Sequence, residues 1–172
     1  DYSEASFGYD PISATMSGKS EYNSIWNDYT YHPVDPFLKT VQRTLKKLEQ
    51  EIPIDKYDEI AQMVVCDDLR RYLEDQDIFH YYVYWGGHFN PLSDVFSVFD
   101  YMPKQTKSDI SDITKRMQKI PKVVTEWISS LKDVAGFGAV NSKFRVEATI
   151  LAIDNFANGK FTKFASNIDK NN

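Results

Sequence analysis

Two histidines, His80 and His88, flank the aromatic side chains of Tyr82, Tyr84 and Trp85 in the stretch HYYVYWGGHFN. Imidazole titrates near neutral pH and is the commonest protein metal ligand, while phenol and indole rings stack on apolar or peptide groups. These residue types could therefore bind a metal, move a proton or touch a substrate. The spacing argues against the first two. The histidines lie eight apart across the Gly86-Gly87 step, which is no zinc-ligand spacing, and the sequence holds neither a His-Glu-x-x-His helix signature nor a Cys-x-x-Cys pair. The stretch reads mainly as a corner between helices, in which His80 and His88 cap, stack or hydrogen-bond. His80, Tyr82, Tyr84, Trp85 and His88 remain the candidates for contact with a substrate or partner.

The other candidates for chemistry have structural readings. Asp67 and Asp68 are adjacent, so on a helix they point about 100° apart and cannot share a proton; with Arg70 and Arg71 they make a solvated helix face. The GFG of DVAGFGAVNS lacks the lysine and the preceding strand of a phosphate loop and reads as an interhelical connection. Three histidines and no strand-turn-helix elbow give a hydrolase triad no foothold. The single cysteine, Cys66, excludes an internal disulfide and reads as a small buried apolar residue. No catalytic residue, metal ligand or cofactor is assigned within this chain.

The elements that must position these residues are helices. VDPFLKTVQRTLKKLEQEIP opens with Asp35 as a cap and Pro36 at the first helical position, and places Leu38, Val41, Leu45 and Leu48 on one face before Pro53. A second helix is expected from about Lys56 to beyond Leu73, with Tyr57, Ile60, Val64 and Leu69 inward and Asp67 pairing with Arg71 on the wet side. Asn90-Pro91 starts a third, with Leu92, Val95, Phe96 and Phe99 inward and Met102-Pro103 closing it. Ser108 is expected to cap a fourth that buries Ile110, Ile113, Met117 and Ile120. Pro121 begins a fifth that buries Val124, Trp127 or Ile128, Leu131 and Val134 and stops at Gly136, the two forming a hairpin bent at Pro121. A sixth, capped by Asn141 or Ser142, runs to Gly159 and leaves a weakly structured tail over residues 160–172. The fold class is all-α, an array of about six helices in one domain.

Composition bounds the partners. The chain has 172 residues, 20 Lys and Arg against 25 Asp and Glu, and a net charge of -5. That length can bury one ordinary core, and the scattered positive charges leave no footprint for nucleic acid. Residues 78–93 carry no Lys, Arg, Asp or Glu but include glycines, Asn90 and Pro91, and fall short of the roughly 20 apolar residues of a membrane span. The first residues have no initiator Met, no basic flank and no apolar run, so the sequence is expected to start after any targeting segment or inside a longer protein.

Four segments, DPISATMSGKSEYNSIWNDYT, NPLSDVFSVFDYMPKQT, ITKRMQKIPKVVTEWISSLKDVAGFG and NSKFRVEATI, resemble in this order the N-terminal part of the bacterial proteins grouped as domain of unknown function 885. The resemblance covers roughly residues 9 to 160. Its most specific pieces are Asn90 to Leu92 with Phe99 to Pro103, and the Arg-(x)4-Pro segment from Arg116 to Pro121. It implies a long, all-helical, zinc-dependent metallopeptidase-like parent, similar in architecture to gluzincin carboxypeptidases and oligopeptidases, with a deep cleft between helical halves. The implied zinc helix lies far downstream of the matched region, so no ligand or catalytic acid/base carries over to a numbered position. Two roles follow as expectations. The chain is a non-catalytic helical part of such a hydrolase, forming a cleft wall against the remainder of the parent polypeptide and contacting peptide substrate at the aromatic corner, or it is a free-standing helical interaction module. The first should expose apolar surface that further polypeptide covers; the second should be closed and polar-rimmed.

Overall fold

Three times along the chain an acid or amide precedes a proline, at Asp10-Pro11, Asp35-Pro36 and Asn90-Pro91, and each pair stands at or just ahead of a helix start. A proline fixes φ near the helical value and wastes no donor in the first turn, so such pairs punctuate an all-α chain. The computed structural model describes residues 2–74, 91–155 and 158–159. In chain order its helices are α1 (Tyr2–Tyr9), α2 (Pro11–Met16), a 3₁₀ turn at Ser20–Tyr22, α3 (Leu38–Leu48), α4 (Lys56–Glu74), α5 (Pro91–Tyr101), α6 (Lys107–Gln118), α7 (Ile120–Gly136) and α8 (Lys143–Asn155). No strand occurs among the described residues. The array is all-α as expected, but with eight helices described rather than about six. The two additions, α1 and α2, come from the first sixteen residues. The signal for α2 was present: Asp10 accepts from the Ser13 backbone N–H at 2.9 Å, as a cap does, with Pro11 at the first helical position.

Two apolar clusters organise the helices. The larger joins Ile12 of α2, Tyr29, Val95, Val98 and Phe99 of α5, Met102, Ile113 of α6, and Val123 and Trp127 of α7. The smaller joins Phe37, Val41 of α3 and Leu69 of α4, with Tyr2 and Ala5 of α1 against it. α3 and α4 thus form a hairpin that α1 ties to α2.

Between the 3₁₀ turn and α3 the chain runs without regular structure, yet Asn23 and Tyr29 are buried. A buried irregular segment must find partners for its carbonyls. Here they come from the side chains of α6, α7 and the residue joining them. Arg116 donates to the carbonyls of Tyr22, at 3.3 Å, and Ile25; Lys119 Nζ donates to Ser24 O at 3.0 Å and Ser130 Oγ to Tyr29 O at 2.7 Å. These residues strap the N-terminal segment across the α6–α7 pair.

Several expectations shift by one or two residues. Asp35 accepts from the Phe37 N–H at 2.8 Å and closes a turn, so α3 begins at Leu38 rather than at Pro36. α6 is capped by Thr106, not Ser108, in a reciprocal capping box with Asp109. In α7 the buried positions are Val123, Trp127, Ser130 and Val134; Val124 is only partly buried and Ile128 faces out. α7 runs through Gly136 and ends at Gly138, whose φ of +85 lets Gly138 N–H reach Ala135 O and Ala139 N–H reach Val134 O, a Schellman ending. α5 buries Val95, Val98 and Phe99, with Phe96 half-buried; the Leu92 side chain lies outside what the structure describes. Ser142 caps α8, its Oγ accepting from the Arg145 N–H at 3.4 Å.

The largest correction concerns α4. Asp67 and Arg71 do pair, at 2.6 Å, and Cys66 and Leu69 are buried, but Tyr57, Ile60 and Val64 face solvent. α4 has apolar residues on two sides, and α3 covers only the side of Cys66 and Leu69.

Candidate functional site

The corner holding His80, Tyr82, Tyr84, Trp85 and His88 lies outside the described residues, so the structure neither joins nor separates those five side chains. It connects the end of α4 at Glu74 to the start of α5 at Pro91. The third histidine, His32, pairs with Asp28 at 2.9 Å, and both side chains are exposed.

Arg116 is the residue that the sequence reading placed least well. It stands between Ile113 and Met117 on the apolar side of α6, one turn before Ile120 at the start of α7, and is fully buried, 0% exposed. Its guanidinium donates to Thr15 Oγ1 at 3.0 Å and to the Tyr22 and Ile25 carbonyls, and lies over the Trp26 ring at 5.0 Å. No carboxylate among the described residues pairs with it, and its Nε is buried without a hydrogen bond. Burial holds its pKa down to about 10. A cation sealed among neutral acceptors cannot meet a substrate; it ties Thr15, the 3₁₀ turn and Trp26 to α6. The available signal was an arginine at three- and four-residue steps from apolar neighbours, a position where a solvated charge is out of place.

A second polar cluster links α1, the turn before α3, and α4. The Tyr72 hydroxyl donates to the Asp35 carboxylate, Tyr9 stacks on Phe37 with ring centroids 4.8 Å apart, and Tyr72 meets Phe37 edge-on at 6.1 Å. Burial, and then the Asp35 carboxylate, raise the phenols of Tyr9 and Tyr72 above the ordinary tyrosine value. Phenols so held are hydrogen-bond donors at neutral pH and not bases or nucleophiles. The cluster fastens the hairpin to α1.

Among the described residues no group of three or more His, Cys, Asp or Glu side chains is placed to hold a metal ion, and none of these residues is assigned to zinc. No helix among them is long and apolar enough to cross a membrane.

What the described structure does present is apolar surface. On α4, Tyr57, Ile60, Met63 and Val64 gather on one side and are 50–85% exposed, and Ile52 and Ile54 just before the helix are almost fully so. On α8, Phe144, Val146, Ile150, Leu151 and Ile153 are all exposed, with Phe137 and Val140 ahead of them. Such a run of large exposed side chains marks an interaction surface more often than single exposed residues do.

Compared with known proteins, the chain matches the family model described as Bacterial protein of unknown function (DUF885) over residues 11–171. No curated protein matches it. The match takes in every described helix from α2 to α8, including the Asp10-capped α2, the Arg116 strap and the α4 and α8 surfaces, and this chain therefore belongs to that bacterial family of unknown function.

Proposed function

We propose that this chain is a non-catalytic helical region of a larger, zinc-dependent metallopeptidase-like hydrolase, and that it works by docking against further polypeptide of the same protein to form one wall of a cleft. The observation that carries the docking is the outer side of α4, where Tyr57, Ile60 and Val64 repeat at i, i+3 and i+7 with Met63 beside them and are at least half exposed. A stripe with that period is built for a covering element. A self-contained interaction module would be expected to close or rim such a face with polar groups. The class of chemistry rests on the family resemblance: zinc-assisted peptide hydrolysis needs three protein ligands and a general base. In this reading all of them are supplied from outside the described residues, and the 80–88 corner offers aromatic contacts to a peptide.

Expression of the whole reading frame, with elemental analysis and a mixed-peptide cleavage assay, tests the reading. Stoichiometric zinc and peptide hydrolysis are expected, and Ile60→Glu with Val64→Glu should lower the stability of that protein while leaving the 172-residue chain unchanged. A frame ending at Asn172, or a longer product with neither zinc nor hydrolysis, overturns it; in the first case the interaction-module reading takes over.

A further inference from the structure

Asn158-Gly159 is the one Asn-Gly step in the sequence. It stands in a wide π-type turn three residues past the end of α8, with the Asn158 side chain exposed. A glycine puts no Cβ beside its own main-chain nitrogen. Gly159 also has a φ of +145, a conformation that L side chains rarely adopt, and no described atom lies within 4 Å of where a Cβ would stand. Elsewhere among the described residues the asparagines are shielded or held. Asn23, ahead of Ser24, is 4% exposed, and the carboxamide oxygen of Asn141, ahead of Ser142, is buried. Asn27 accepts from the Ile12 N–H at 3.0 Å and donates to Asp10 at 2.8 Å. Asn155 is exposed, but it belongs to α8 and precedes the bulky Phe156.

We infer that Asn158 is a site of spontaneous hydrolytic modification, in which the Gly159 main-chain nitrogen is the attacking group and water the co-reactant. The nitrogen attacks the side-chain carbonyl carbon, Cγ, of Asn158. The N–Cγ bond forms and the Cγ–Nδ2 bond breaks; the proton of the Gly159 N–H leaves with Nδ2 as ammonia, and a cyclic imide closes. Water then opens the imide at either carbonyl. Opening at Cγ restores the ordinary backbone with an aspartate, and opening at the α-carbonyl leaves the main chain running through the side chain as isoaspartate. Either way one amide and one water become one carboxylic acid and one ammonia, with no change of oxidation state. Asparagine is a thermolabile residue because its side chain is the right length for this ring. The ring closes only where the following nitrogen is uncrowded and the backbone can swing it onto Cγ, which are the conditions that Gly159 supplies and that burial, bonding or a helix denies at Asn23, Asn27, Asn141 and Asn155. The product adds a carboxylate to a chain of net charge -5 and, as isoaspartate, lengthens the main chain by a methylene just after α8.

The test holds the folded 172-residue chain in mildly alkaline buffer and maps its peptides by mass spectrometry at intervals, with isoaspartyl methyltransferase labelling to separate isoaspartate from aspartate. Asn158 should convert ahead of every other asparagine, release ammonia and yield isoaspartate alongside aspartate. Gly159→Ala should slow the conversion by about tenfold, because its methyl group crowds the nitrogen and disfavours the φ of +145. Asn158→Gln should all but stop it, since the longer side chain closes its ring far more slowly, and circular dichroism of both variants should match the parent. Conversion at Asn23 or Asn141 before Asn158 would overturn the inference, as would an amide at Asn158 that outlasts them. Aspartate without isoaspartate would show direct hydrolysis of the side chain, and an undiminished rate in Gly159→Ala would remove Gly159 from the step; either result sinks it.

Discussion

Trp26 and Arg116 hold each other twice: the indole Nε1 donates to the Arg116 carbonyl at 2.9 Å, and the Arg116 guanidinium lies over the indole ring at 5.0 Å. One contact fixes the backbone of α6 and the other its side chain, so the irregular segment around Trp26 is held in register with the helix it crosses. A charge in this position has lost its water, and the donors it offers must offset that loss. It does so by serving the Thr15 hydroxyl, the carbonyl of Tyr22 at the end of the 3₁₀ turn and the carbonyl of Ile25 in the irregular segment.

Arg116→Met keeps a long side chain and removes those donors. Tyr22 O keeps the Ile25 N–H and the Thr15 hydroxyl keeps its bond to Pro11 O, so the Ile25 carbonyl is the acceptor that loses its donor. A buried acceptor left bare costs about 1–3 kcal/mol, and a net loss of that order is expected in denaturant unfolding. Arg116→Lys should recover little of it, because one ammonium cannot reproduce the planar fork that reaches Thr15, Tyr22 and Ile25 together. Unchanged stability in Arg116→Met would mean that the strap is held by packing alone.

The Tyr72 and Asp35 pair makes stability sensitive to alkali. The folded state raises the Tyr72 phenol above its ordinary value of about 10, so the unfolded chain releases that proton first as pH rises. The contribution of the pair is fully present below pH 10 and is lost progressively above it. Tyr72→Phe should lower the melting temperature at pH 7 and flatten its fall above pH 10. A fall as steep in the variant as in the parent would assign the alkaline sensitivity to other groups.

Phe99 and Phe96 differ by one helical step and should differ in cost. Phe99 is 2% exposed in the larger cluster, and its removal loses transfer energy and leaves a cavity, so Phe99→Ala should cost about 3–5 kcal/mol. Phe96 is half-buried, and Phe96→Ala should cost markedly less. Equal losses would place Phe96 in the core, as its four-residue spacing from Leu92 and three-residue spacing to Phe99 suggested.

Local rules read this sequence well where the determining residues are close in the chain. Asp67 and Arg71 pair because they sit four apart on a helix, and Ile113 is buried because it falls on a three-and-four period. The same rules misplace Arg116, whose partners lie about ninety to a hundred residues away, and they cannot see that the carbonyls of residues 22–29 are served by side chains of two distant helices. Periodicity also finds an apolar face without saying what covers it. On α4 the stripe at Tyr57, Ile60 and Val64 competes with the one at Cys66 and Leu69, and the short α3 covers only the second. The aromatic corner from His80 to His88 falls outside the described residues, so its reading stays where the sequence left it.

Two glycines close α7, and their substitution separates their roles. Gly136 is the last helical residue, with no positive φ and nothing within 4 Å of where a Cβ would stand, so Gly136→Ala should gain about 0.5–1 kcal/mol from lower unfolded-state entropy and better helix propensity. Gly138 has equally open surroundings but a φ of +85, a left-handed conformation that costs an L-residue about 1–2 kcal/mol. Gly138→Ala should therefore destabilise by that amount with no steric clash to blame, and Gly138→Asn, which tolerates this region better, should lose less. Thermal unfolding of the three variants checks the assignment. A loss at Gly136 with neutrality at Gly138 would move the helix stop back to the position that the sequence alone suggested.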